Sequence, residues 1–166
     1  MSSPALHPGA EPLAFLLGSW RGDGHGHYPT IESFDYVEEI TFSHVGKPWL
    51  AYQQRTRHAT EDRPLHAESG YFRPVGQGRL EVVMAYPTGH VEVASGTIDG
   101  TSVQVVTSTL AATPTAKRVD EVTRSLRIDG DVLHYELAMA AVGEPLTPHL
   151  SATLVRLKAP SPAGAP

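Results

Sequence analysis

Gly18-Ser19-Trp20-Arg21-Gly22-Asp23-Gly24-His25-Gly26-His27-Tyr28-Pro29-Thr30-Ile31 decides the fold. Glycine alternates with other residues from Gly22 to Gly26. In an extended segment that spacing strips one face of side chains, so a neighbouring backbone or a flat ligand can approach closely. Pro29 cannot donate to a ladder and marks the strand end. A phosphate-binding loop needs a strand before it and a helix after it. Here the order is reversed. Leu13 to Leu17 read as a helical turn, and strand-like sequence follows.

Downstream the pattern has period two. Phe34, Tyr36, Ile40 and Phe42 alternate with Ser33, Asp35, Glu39 and Thr41, and Glu38 interrupts the apolar face. Glu38 and Glu39 therefore point to opposite faces. Extended runs recur at Trp49–His58, His66–Arg73, Leu80–Tyr86, Val91–Ile98, Val103–Leu110, Val119–Ile128, Val132–Ala140 and His149–Leu157. Asp99-Gly100 and Asp129-Gly130 are hairpin turns by their chemistry. The reading is all-β with about ten strands, and periodicity does not choose between sandwich and barrel. Pro12–Leu17 is expected to form a short helix plugging one end. The tails at 1–10 and 159–166 are expected to be disordered, leaving one domain over 11–158.

The chain has 166 residues, 40% hydrophobic and 19% charged, with 15 glycines and 14 prolines for tight turns. There is no cysteine, which removes disulfides, thiolate catalysis, cysteine ligands and covalent Cys-x-x-Cys-His haem attachment. A formal charge of −5 argues against a nucleic-acid partner. No apolar run reaches membrane-span length and no secretory leader is evident, so a cytoplasmic protein is expected. Nine histidines hold the metal-binding potential.

Gly-x-Trp-x-Gly-x-Gly followed by Tyr-Pro-Thr resembles the opening motif of the nitrobindins. Later family segments are resembled, in order, by Phe42-Ser43-His44-Val45-Gly46-Lys47-Pro48, Leu65-His66-Ala67-Glu68-Ser69-Gly70-Tyr71-Phe72-Arg73-Pro74 and Pro148-His149-Leu150-Ser151-Ala152. The likeness runs from Pro12 to Leu157. It implies a closed antiparallel up-and-down barrel, lipocalin- or fatty-acid-binding-protein-like. It also implies a ferric, non-covalent b-type haem that binds nitric oxide and converts peroxynitrite to nitrate.

By that resemblance His149 is the axial iron ligand and Thr30 lies against the haem. His66 lines the cavity, or is a buried histidine satisfied by Glu68 or a carbonyl. Tyr86 is a further cofactor candidate, and Gly18, Trp20, Gly22 and Gly24 carry the motif. The distal face is expected to be open and apolar, with Ala85, Val93 and Met139 as possible walls and His90 as a conceivable distal residue. His44 is expected to hold a turn, and His25 and His27 to be solvent-exposed with no carboxylate nearby in sequence. The competing readings are a haem or nitric oxide carrier or sensor without turnover, and a metal-free barrel for apolar ligands. A homodimer is left open.

Overall fold

The computed structural model describes residues 4–158, so the expectation for the C-terminal tail at 159–166 lies outside the described residues. Ten strands form a closed antiparallel barrel in which each pairs with its chain neighbour and β1 pairs with β10. They are β1 Gly18–Tyr28, β2 Ile31–Ser43, β3 Leu50–His58, β4 Pro64–Gly76, β5 Arg79–Tyr86, β6 His90–Asp99, β7 Ser102–Ala112, β8 Val119–Asp129, β9 Val132–Ala141 and β10 Thr147–Arg156. Closure leaves no edge strand exposed. Two tight hairpins turn at Gly100-Thr101 and Gly130-Asp131, with Asp99 and Asp129 as the last paired residues before each turn and φ of 57° at Gly100 and 59° at Gly130.

The helix is a 3₁₀ segment, Pro8–Leu16. It starts four residues before the expected Pro12, and Ala10, within the span read as tail, is fully buried with Leu13 and Leu16; residues 1–3 lie outside the described residues. Pro8 at the first helical position, where a backbone N–H lacks a partner anyway, favours this early start. Leu17 is only half-buried.

The helix closes one barrel end. Trp20 Nε1 donates to the Leu16 carbonyl at 2.9 Å. The Arg156 guanidinium stacks 4.0 Å over the Trp20 ring and donates to the carbonyls of Leu17 and Phe15. Above this plug, Phe42, Tyr52 and Phe72 pack as a triangle of rings 5.1–5.3 Å apart. β1 then runs from this packed end to the opposite, open end.

Of the alternating glycines, Gly24 and Gly26 receive aromatic rings from β2, whereas Gly22 lies against the β10 backbone at Thr153 and Leu154. Gly24 lies opposite Tyr36 and Gly26 opposite Phe34. A Cβ at either glycine would lie 2.3 Å from the facing ring. At Gly24 and Gly26 the side-chain-free face is therefore filled by this chain's own aromatics.

A candidate functional cavity at the open end

The open end holds a cavity of about 640 Å³. His149, Thr30, His66 and Tyr86 all line it, although they come from β10, the β1–β2 turn, β4 and β5. That volume lies within the range of small-molecule and cofactor sites.

Two bulges place His149. The β1–β2 register shifts between Gly26 and Tyr28, where His27 alone faces two residues of β2, Glu32 and Ser33. The β10–β9 register shifts between Pro148 and Leu150, making His149 an extra residue on β10. A bulge re-aims its side chain and frees backbone groups from the ladder. The two meet: His149 Nδ1 lies 2.9 Å from the His27 carbonyl oxygen. A carbonyl only accepts, so Nδ1 carries the proton and Nε2 of the neutral ring keeps its lone pair. Burial lowers the His149 pKa below 6.5, the hydrogen bond to His27 partly opposing it. The ring thus stays neutral where an ordinary histidine is half protonated. Tyr28 and Phe34 pack edge-on against it, with centroids at 5.2 and 6.5 Å.

Polar side chains interrupt the mostly apolar lining at depth. Gln54, Glu68 and Arg124 line the cavity and are buried. Arg124 Nη1 donates to Glu92 at 2.9 Å, and its Nη2 stands 3.6 Å from Glu68. Tyr86 accepts from Arg124 and donates to Glu92. Tyr52 donates to Glu68 at 2.9 Å, and His66 Nε2 stands 3.4 Å from the same carboxylate. Burial works to raise the Glu68 pKa, but Arg124 and His66 bring it below the usual range. The cluster is an ion network, not a free cationic site.

Of the proposed wall residues, only Met139 faces the cavity. Ala85 and Val93 point outward, because inward positions on β5 and β6 fall at Val82, Met84, Glu92 and Ala94. His90 lines the cavity with both nitrogens engaged: Nε2 donates to the Lys117 carbonyl at 2.8 Å and Nδ1 accepts from Thr88 at 3.1 Å. It has no proton to offer a distal ligand. His44 Nδ1 accepts from the Gly46 N–H at 3.3 Å, within its turn. His25 and His27 are exposed, but cross-strand pairing brings Asp35 within 2.8 Å of His25. Among the described residues no three His, Cys, Asp or Glu form a metal-holding group.

The sequence reading missed Phe34, Arg124, and Lys117 and Arg118 at the cavity mouth. Arg124 left one signal, as the lone charge on the Val122, Leu126 and Ile128 face of β8. Lys117 and Arg118 sit between strands, where no periodicity reports facing.

The model of the THAP4-like, haem-binding β-barrel domain matches residues 10–156. The chain belongs to this family. A peroxynitrite isomerase of Mycobacterium avium is 54% identical to it, over 91% of this chain and 96% of the relative. One from Nocardia farcinica is 53% identical, over 93% and 94%. The crystal structure of Rv2717c from M. tuberculosis superimposes with a TM-score of 0.86 at 46% identity, covering 93% of this chain and 100% of that one. A phycobiliprotein lyase of Guillardia theta, TM-score 0.65 at 11% identity, shares the fold alone. The family's cofactor fits the residues present: one neutral imidazole with a free Nε2 lone pair, in a cavity with far more apolar than polar surface.

Proposed function

We propose that this chain binds one b-type haem non-covalently through His149 Nε2 and, in the ferric state, isomerises peroxynitrite to nitrate. The observation that carries the reading is the His149–His27 hydrogen bond, which selects the tautomer an iron ligand needs. The names of the mycobacterial and nocardial relatives support the reaction.

His149 would hold the iron. Thr30, at the mouth, and Lys117 with Arg118 beside it would receive the haem's polar edge. The haem, when bound, supplies the iron chemistry that rearranges the peroxynitrite O–O bond. The chain's own residues exclude water and confine the fragments: Phe34, Leu137 and Met139 are apolar lining, and Tyr86 is held by Arg124 and Glu92. Nitric oxide would reach the same site, with His66 and Tyr86 bordering it. Their rings lie 6.0 Å apart. A metal-free carrier of fatty acids is less well supported. Arg124, the cation such a carboxylate would seek, is already held by two carboxylates. No helix among the described residues is long and apolar enough to cross a membrane, and a cytoplasmic setting suits a cysteine-free chain.

The test is haem titration of apoprotein followed by the porphyrin absorption band. His149→Ala should keep the barrel and lose most haem affinity, about 10-fold or more. An unchanged spectrum and affinity would remove His149 as the ligand.

A further inference from the structure

β1 and β10 part company where His149 has to be held. Their pairing ends at Gly26 opposite Leu150, where His149 is a bulge residue of β10 and the β1–β2 register shifts beside His27. Backbone rungs are therefore missing at the socket. The Tyr28 side chain fills the gap. It is 2% exposed, and its ring meets the His149 ring edge-on at 70°. Its hydroxyl reaches past β10 to β9. It accepts from the Ala141 N–H at 3.0 Å and lies 3.2 and 3.3 Å from the carbonyl oxygens of Met139 and Ala141, to one of which it donates. β10 stands between β1 and β9 in the barrel. Tyr28 thus ties the ends of the two outer strands together, and the His149 ring packs against the tie.

We infer that Tyr28 is a positioning residue for haem ligation, setting the angle at which His149 presents Nε2 to the cavity. This rests on the reading of His149 as the axial ligand. One hydrogen bond to the His27 carbonyl fixes Nδ1 but leaves the imidazole free to pivot about that contact. The Tyr28 edge removes the freedom, with Phe34 as a second, more distant edge. The tie makes the Tyr28 edge rigid. Without the hydroxyl, the Ala141 N–H loses its buried partner and the end of β9 loses its tie to β1, while its pairing with β8 remains. Tyr28 acts through His149 and need touch no reacting atom.

Tyr28→Phe isolates the tie, since ring and volume are kept and folding persists. The readouts are the iron–histidine stretching band of the ferrous protein by resonance Raman, and the rate of haem transfer to a scavenging apoprotein. The variant should shift or broaden the band and lose haem about 10-fold faster, with unchanged far-ultraviolet circular dichroism. A band and a loss rate equal to the parent's would overturn the proposal. His149→Ala separates the two failures. If that variant keeps the band, the ligand assignment itself is wrong. If it abolishes the band while Tyr28→Phe leaves band and rate untouched, only the positioning role falls.

Discussion

Glu38 sits inside the barrel with no exposed surface, and among the described residues its side-chain partner is Gln54, which donates to one of its oxygens. The other oxygen has no hydrogen-bond partner among them. Burial raises its pKa from 4.5 to about 8, Gln54 lowering it and Glu68 adding to the rise. The folded protein therefore holds a proton that the unfolded chain gives up. That stabilisation is complete below pH 4.5 and is lost as pH rises through about 8. The slope is at most roughly 1.4 kcal/mol per pH unit. Glu38→Gln keeps the shape and the contact with Gln54 but cannot ionise. Urea unfolding of the apoprotein should show the parent losing stability between pH 5 and 8 and the variant holding level. Parallel curves would mean that Glu38 is ionised in the fold. At this scale the sequence exposed the misfit: Glu38 breaks an apolar alternation, and so does Arg124. It could not reveal their partners, because Arg124, Glu92 and Glu68 meet across the interior from β8, β6 and β4.

Within β1, glycine spacing does two jobs that substitution can separate. Gly24 seats Tyr36, which is fully buried and donates to the Ser151 carbonyl at 3.3 Å. A Cβ at Gly24 would lie 2.3 Å from that ring, so Gly24→Ala should destabilise the barrel by about 1–3 kcal/mol in denaturant unfolding. Gly26 seats Phe34, a half-buried ring at the cavity wall. Gly26→Ala should push Phe34 toward the cavity. The expected result is a smaller stability loss than Gly24→Ala but a larger loss of haem affinity by titration. The reverse ranking would show that the rings are not seated as described. The strand and its glycine face were legible in sequence. What occupies that face was not, because it depends on the β1–β2 register. The register shift beside His27 and the bulge at His149 escaped for the same reason: a register shift is a relation between strands, and neither histidine's local sequence announces it.

For the whole molecule, strand count and order could be read because turn chemistry and period-two patterning recur along the entire chain. Barrel closure could not: no pattern within β1 or β10 states that they pair, and it entered only through the family resemblance. The closed ladder brings the end of β10 to the end of β1, and that long-range contact builds the socket for His149. Hence one stopped-flow measurement of peroxynitrite decay, with nitrate yield and nitration of an added phenol as product readouts, bears on sequence, closure and site together. Ferric holoprotein should speed the decay over apoprotein and over His149→Ala, raise the nitrate yield and suppress phenol nitration. A holoprotein decay equal to that of the apoprotein, or undiminished phenol nitration, would contradict an isomerase built on His149.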